Sequence, residues 1–441
     1  MIGKVFPAYS EYKDSCIDWL GKIPKHWILK PLFTLMKERN ERNIGNKEQN
    51  ILSLSYGKII RRTVDDNFGL IPASFETYQI VQDGNIIMRL TDLQNDKRSL
   101  RVGLVKELGI ITSAYVCLEI IQELETSFAY SLLHSYDLTK IFYSLGGGVR
   151  QSMNYEDLKR LSILYPPLEE QKQIATFLDR ATTEIDQIIE QQKQLITLLE
   201  EERTTVISHA VTQGLDTSVP MKDSGTILHP SIPEHWTLLR LGYLCNKVVD
   251  GPHFSPNYVD EPEGIMFLSA RNVKTDKWSL DDAKFISEKD YLEFSKRVIP
   301  EIGDILYTKG GTTGIARVVD LEFRFQVWVH IAVLKIKKER VNPYFLSYVL
   351  NGDICYQQSQ LYTSGATNND LGLTRLTNIV LAIPSLKEQE QIISFLDQET
   401  ARIDEAIKNV RSQIEKLEEY RTVLISDAVT GKIDVRKFNE S

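Results

Sequence analysis

The sequence predicts an α+β chain: two mixed α/β domains separated by two long helices that pair as an antiparallel coiled coil, with pseudo-twofold symmetry between the halves. Three observations predict it. Pro166 to Asp216 aligns without a gap on Pro384 to Asp434 at a constant shift of 218 residues (384 − 166), with about half of the positions identical. Lys13-Asp14-Ser15 and Ile23-Pro24-Lys25-His26-Trp27 recur as Lys222-Asp223-Ser224 and Ile232-Pro233-Glu234-His235-Trp236 at a shift of 209 (222 − 13). The stretches between match poorly, although their ends are related, Gly147 with Leu158 answering Gly365 with Leu376. A frame kept twice around inserts that differ describes a scaffold presenting two different domains, and duplicated units suit a ligand with two similar faces.

The expected boundaries are 1–165 for the first mixed domain, 166–216 for the first helix, 217–383 for the second domain, and 384–441 for the second helix and tail. In the first domain, strands are expected at Ile51-Leu52-Ser53-Leu54 and Gly84-Asn85-Ile86-Ile87-Met88, with a helix over Ser127 to Leu133. Pro166-Pro167 stop the preceding strand, and apolar residues then recur at steps of three and four through Ile174, Leu178, Ala181, Ile185, Ile188, Leu195, Leu199 and Val206, interrupted by Gln192. In the second domain, strands are expected at Gly303-Asp304-Ile305-Leu306-Tyr307 and over Val327 to Leu334. A helix over Asn342 to Leu350 has Pro343 in its favoured first turn. After Pro384 the stripe returns as Ile392, Leu396, Ile403, Ala406, Val410, Leu417, Tyr420 and Leu424, with Gln413 polar.

A lone surface helix on each domain is the alternative. An apolar stripe of about four to five heptads needs a partner, and the matching stripe lies in the same chain. Antiparallel pairing would set Leu178, Ile185, Gln192 and Leu199 against Leu396, Ile403, Val410, Gln413 and Leu417, with the Gln192 and Gln413 amides satisfying each other as a register marker.

Apolar content of 42% and charge of 25% place the chain with ordinary globular proteins. The first residues carry no apolar signal core and no run approaches a membrane span, so a cytoplasmic protein without membrane contact is expected. Cys16, Cys117, Cys245 and Cys355 are far apart, which fits a reducing compartment, and the seven histidines show no metal-ligand spacing. The net charge of −8 opposes a nucleic-acid partner until it is located: +2 for 1–165, −6 for 166–216, −1 for 217–383 and −3 for 384–441. The acidity sits on the helices, so any DNA contact would rest on local basic clusters in the inserts.

Those clusters mix basic, amide and glycine residues. The first insert has Lys58 with Arg61 and Arg62 after Tyr56-Gly57, Lys97 and Arg98 with Arg101, and Arg150-Gln151 after Gly146-Gly147-Gly148. The second has Asp250-Gly251-Pro252-His253, Arg271-Asn272 with Lys274, Lys309-Gly310-Gly311-Thr312, and Asn368-Asn369. Arg and Lys bond guanine in the major groove, Asn and Gln bond adenine, and glycine lets backbone amides approach phosphate. Any one cluster alone is better read as an ordinary turn; their concentration in the paired inserts is what points to DNA.

The repeated Ile-Pro-x-His-Trp openings, the Pro-(Pro/Ser)-Leu-x-Glu-Gln-x-Gln-Ile entries to the helices and the Glu-Glu-x-Arg-Thr followed by Ala-Val-Thr at their ends resemble the specificity subunit of type I restriction-modification systems. Asp250-Gly251-Pro252-His253 and Gly303-Asp304-Ile305-Leu306 are similar to segments of that family's target-recognition domains. The resemblance covers essentially the whole chain. It implies two target-recognition domains that each read one half of a bipartite double-stranded DNA site, and helices that set the gap and bind two modification (methyltransferase) subunits. It also implies restriction (endonuclease) subunits in the full complex and S-adenosylmethionine on the modification subunits, with no cofactor on this chain. The first insert lacks an Asp-Gly-Pro-His equivalent, so the two inserts need not use the same loops.

Two other functional classes compete with this one. A self-contained methyltransferase is disfavoured because Asn342-Pro343-Tyr344-Phe345 lacks the second proline of the Asn-Pro-Pro-aromatic motif and no Phe-x-Gly-x-Gly loop precedes it. Gly310-Gly311-Thr312-Thr313-Gly314 lacks the Lys-Ser/Thr ending of a P-loop. A coiled-coil adaptor that binds no DNA is the third reading.

Overall fold

The computed structural model describes residues 6–62, 74–93, 100–145, 152–261, 263–363 and 370–439. It divides into two units, Met1–Lys193 with Arg411–Ser441, and Gln194–Val410.

In the first unit the repeated opening is a hairpin of Tyr12–Asp14 with Lys22–Pro24. A four-stranded antiparallel sheet follows in the order Met36–Glu38, Val116–Ile120, Ile86–Met88, Val102–Leu104. The helix Thr126–Leu138 buries Phe128, Leu132 and Leu133 in the same core as Met36, Met88 and Leu118. Ser162–Tyr165 pairs with Ile28–Pro31, and the chain then enters the first long helix, Leu168–Gln213.

The second unit rebuilds this frame. Met221–Asp223 pairs with Ser231–Pro233, and a four-stranded sheet has the corresponding order Cys245–Asp250, Ile331–Ile336, Ile305–Thr308, Ala316–Val318. Thr237–Arg240 pairs with Val380–Ile383 just before the second long helix, Leu386–Val429. The two sheets share their order with little sequence identity because strand pairing requires alternation of apolar side chains rather than particular residues.

The insertions into the frame differ. The first unit adds the hairpin Leu52–Ser55 with Lys58–Arg61 and the pair Gln79–Val81 with Gly109–Ile111. The second adds a four-stranded sheet ordered Tyr258–Val259, Lys284–Ile286, Ile265–Leu268, Phe325–Val327, its last pair parallel. The single strand expected over Val327 to Leu334 is therefore two. Phe325–Val327 belongs to the added sheet, a turn closed by Ile331 N–H to Trp328 carbonyl at 2.9 Å intervenes, and Ile331–Ile336 belongs to the frame sheet.

The repeated motifs have a mechanical meaning. Glu170 accepts from Trp27 Nε1 at 3.0 Å and contacts His26 Nε2 at 2.7 Å; Glu388 accepts from Trp236 Nε1 at 3.0 Å and contacts His235 Nε2 at 2.8 Å. The next residue finishes the anchor. Gln171 donates to Pro166 carbonyl at 2.8 Å and accepts from Glu125 N–H at 2.9 Å, and Gln389 donates to Pro384 carbonyl at 3.0 Å and accepts from Asn342 N–H at 2.7 Å. Both glutamines are fully buried, so these bonds satisfy groups that would otherwise be costly.

The helices pair antiparallel within each unit. In the first, Ile185, Ile189, Leu424 and Ala428 share one core, and Arg421 Nε meets Asp186 Oδ1 at 2.9 Å. In the second, Val211, Ala210, Ile392 and Leu396 share a core, and Arg203 Nε meets Asp404 Oδ1 at 3.4 Å. The two ion pairs are equivalent under the repeat, since 203 + 218 = 421 and 186 + 218 = 404.

Leu178, Ile185, Leu396, Ile403 and Val410 are buried, while Leu199 and Leu417 are half-buried. Other positions depart from the sequence expectation. Ile189 and Ile407 are buried in preference to Ile188 and Ala406, and Leu195 is 40% exposed. The amide pair does not form: Gln413 is exposed, and the buried Oε1 of half-buried Gln192 has no hydrogen-bond partner. A seam stepping from Val410 by four and then three reaches Ile414 and Leu417, so an apolar side chain takes the position assigned to Gln413.

The end of the second long helix closes the first unit. Gly431 has φ +74°, and a Cβ there would lie 2.5 Å from the Pro24 ring, so a larger residue is excluded by both conformation and space. Tyr12 Oη donates to Gly431 carbonyl at 3.1 Å, Asp434 N–H donates to Pro7 carbonyl at 2.7 Å, and Phe6 stacks edge-on against Phe438 at 4.9 Å.

Candidate nucleic-acid interface

In the second unit two of the sequence clusters gather on one buried carboxylate. Asp250 ends the strand Cys245–Asp250; its Oδ2 lies 3.5 Å from Lys309 Nζ and 3.3 Å from His253 Nε2, and Arg297 donates to its Oδ1. Lys309 follows the strand Ile305–Thr308 and donates to both Asp370 oxygens at 3.1 Å. The backbone joins the same segments: Lys309 N–H donates to His330 carbonyl at 2.8 Å, and Leu371 N–H donates to Lys309 carbonyl at 2.7 Å. Gly251 permits the approach, since a Cβ there would stand 2.1 Å from Val327 carbonyl oxygen. Burial pushes the Asp250 carboxyl up, but the Arg297 hydrogen bond and the charges of Lys309, Arg297 and His253 outweigh it and hold the group below the usual carboxylate range. A buried charge whose partner is removed is strongly destabilising, so this cluster fixes the loops that carry the exposed residues.

That role corrects the reading of Lys309, whose ammonium faces Asp250 and Asp370 rather than solvent. Asn272 is corrected likewise. It is 1% exposed, its carboxamide oxygen accepts from Ser269 N–H at 2.7 Å and Oγ at 2.8 Å, and its amide donates to Ser279 carbonyl at 2.8 Å and Asp282 Oδ1 at 3.0 Å. Arg271 beside it is exposed, as are His253 and Thr312, and Lys274 is half-buried.

In the first unit, Lys58 and Arg62 are exposed at the hairpin Leu52–Ser55/Lys58–Arg61. Arg61 is exposed too, but its Nε donates to both Glu107 oxygens at 2.8 and 2.7 Å, and that bond holds the Glu107 carboxyl below its usual range. Arg101 is a further correction. It is fully buried, donates to the carbonyls of Thr91 at 2.8 Å and Asp92 at 3.1 Å, and lies against the Tyr143 ring, so it holds a loop from inside. Lys97, Arg98, Arg150, Gln151, Asn368 and Asn369 lie outside the described residues.

Sequence reasoning passed over Tyr258, on one strand of the added sheet, and Trp328, which directly follows another; the two meet with near-parallel rings. No motif marks them; only the fold brings them together. Burial pushes the thiols of Cys117, Cys245 and Cys355 up to about 12, which keeps them protonated. Among the described residues there is no group of three or more His, Cys, Asp or Glu able to hold a metal, and no helix long and apolar enough to cross a membrane.

Comparison with known proteins bears on this geometry. The family model of the type I restriction modification DNA specificity domain matches residues 105–198 and 233–416, more than half of the chain. The MjaVIII specificity subunit of Methanocaldococcus jannaschii is 26% identical over 343 residues, covering 75% of this chain and 76% of that protein. The EcoBI specificity subunit of Escherichia coli is 23% identical over 320 residues, covering 69% and 65%. Among solved structures, a chain from a study of complex assembly and conformational transition of the type I R-M system superposes with a TM-score of 0.68 at 18% identity, covering 93% of this chain and 99% of that one. The HsdS subunit from Thermoanaerobacter tengcongensis gives 0.53 at 16% identity, covering 93% and 98%. A twice-built frame with divergent insertions, matched on this scale, means that the chain belongs to the type I restriction-modification DNA specificity family and is a specificity subunit.

Proposed function

We propose that each mixed domain reads one half of a bipartite double-stranded DNA site, and that the paired helices set the gap between the halves and bind two modification subunits. The chain itself carries out no chemistry in this reading. S-adenosylmethionine is held by the modification subunits, and restriction subunits join them in the full complex. The observation that carries the proposal is the contrast between frame and insertion. The anchors Glu170 with Trp27 and Glu388 with Trp236, and the ion pairs Arg421–Asp186 and Arg203–Asp404, are the same in both units, whereas the added strands and their exposed basic residues differ. Two unlike readers on like mounts suit a site with two unlike halves. Exposed Lys58, Arg62 and Arg271 supply contacts to phosphate and base edges of the kind such reading needs.

The test is an exchange. Residues 1–160 are transplanted into a relative of known site, the hybrid is assembled with its modification subunit, and methylated adenines are mapped. One half-site should change while the other half and the gap stay as they were; a hybrid altered in both halves contradicts the proposal.

A further inference from the structure

The sheet that only the second unit adds carries a slot of its own. Tyr258 and Trp328 lie 13° from parallel with ring centroids 6.4 Å apart, close to twice the ~3.4 Å rise between stacked bases. Both line one cavity of about 220 Å³, together with the ring of Phe267. The rim is polar and charged in a particular way. Lys284 Nζ stands 4.3 Å from the Tyr258 ring centroid, exposed Arg271 is a second cation, and the exposed Asp282 carboxylate is held in place by Asn272, whose amide donates to its Oδ1 at 3.0 Å.

We propose that this slot binds a single unstacked nucleobase bearing an exocyclic amine, with the phosphate of the same nucleotide at Lys284 and Arg271. Parallel aromatic walls accept the π-faces of any base. A carboxylate accepts hydrogen bonds and offers none, so Asp282 pairs with the N6 amine of adenine or the N4 amine of cytosine, where thymine and guanine carry a carbonyl oxygen that it would repel. The pair of cations fits a nucleotide better than a bare nucleoside. The proposal rests on the DNA-reading function and specifies one ligand class within it: a base taken out of the stack, in addition to bases read in the groove.

The full chain is titrated with deoxyadenosine, deoxycytidine and thymidine 5′-monophosphates by isothermal calorimetry, and with duplex DNA containing its methylation site in a separate retention assay. The two amine-bearing nucleotides should bind about tenfold or more tighter than thymidine monophosphate. Asp282→Asn should erase that preference, Tyr258→Ala should lower binding by about tenfold or more, and Tyr258→Phe should retain it. Tyr258 is 42% exposed, so its replacement leaves the core intact. Absence of nucleotide binding, or binding indifferent to Tyr258→Ala and Asp282→Asn, overturns the slot while duplex retention persists. Loss of duplex retention in the unmodified chain would instead overturn the DNA-reading proposal.

Discussion

Replacing Glu170 by alanine should cost the protein more than the same change at Glu388, although the two glutamates occupy equivalent places in the repeat. Glu170 is 4% exposed and accepts from Trp27 Nε1 at 3.0 Å and Tyr9 Oη at 2.7 Å, both donors buried. Burial and the Glu170 carboxylate together push the Tyr9 hydroxyl far above its usual range, a sign of how completely the pair is shielded. Glu170→Ala leaves both donors without their acceptor, at about 1–3 kcal/mol each and so roughly 2–6 kcal/mol in all. Glu388 has a side chain 22% exposed and a single buried donor, Trp236, because Ser218 stands where Tyr9 does in the first copy (9 + 209 = 218). Its loss should be about 1–3 kcal/mol, with water replacing part of the bond. His26 and His235 are 40% and 47% exposed and rehydrate in either variant. Each glutamate also sits in the first turn of its helix, a contribution common to both that cancels in the comparison. For a unit of 224 residues (193 + 31), about 1 kcal/mol corresponds to roughly 2–4 °C. Scanning calorimetry should therefore show Glu170→Ala melting about 2–12 °C below Glu388→Ala, taking the extra orphan at about 1–3 kcal/mol. Equal losses, or a larger loss at Glu388, would refute the assignment of these motifs as buried anchors.

Two further outcomes follow from buried polar groups. Gln192→Leu should raise stability by about 1–2 kcal/mol, read as a higher urea midpoint at unchanged slope, because it removes a buried acceptor without a partner at a position whose repeat counterpart is Val410 (192 + 218 = 410). His134 is buried against Tyr130, and burial, with a smaller contribution from Arg421, lowers its pKa from 6.5 to about 4. The neutral ring's full stabilising share is present above about pH 6.5 and is lost as pH falls toward 4, where up to ~3 kcal/mol has gone. His134→Phe should keep the stack and flatten urea midpoints between pH 7.5 and 4.5; an unchanged slope would show that other groups carry the acid sensitivity.

The helices were legible because their signal is periodic and was written twice: alternating steps of three and four from Ile174 and Ile392 give the stripe, and the gapless alignment gives its partner. The frame sheet was only partly legible. Short strands such as Met36–Glu38 and Val102–Leu104 carry three residues each, too few for a period to emerge. The Val327 to Leu334 run looked like one strand because a turn between two sheets can be as apolar as the strands it joins. Arg101, Asn272 and Lys309 show the limit on sites. A cation or amide in a glycine-rich loop has the right chemistry for a base edge and equally for a neighbouring carbonyl or carboxylate, and residue type carries no information about depth. The structure decides by distance, placing Lys309 between Asp250 and Asp370 and Asn272 on Ser269.

The closure of the first unit by Gly431, Asp434 and Phe438 has a bearing on synthesis. Trp27 and Pro24 are covered by Gly431, and Pro7 is held by Asp434, so the segment that carries Pro7 to Trp27 needs residues made some 400 positions later. The second unit is one uninterrupted stretch, Gln194–Val410, and domains fold as units while the chain is still being made. The later unit can therefore finish first, and the earlier one must wait with an open apolar face until the segment after residue 410 has been made. A nascent chain stalled at residue 410 would be half mature in reverse order, with its amino-terminal portion the part exposed to proteases and chaperones.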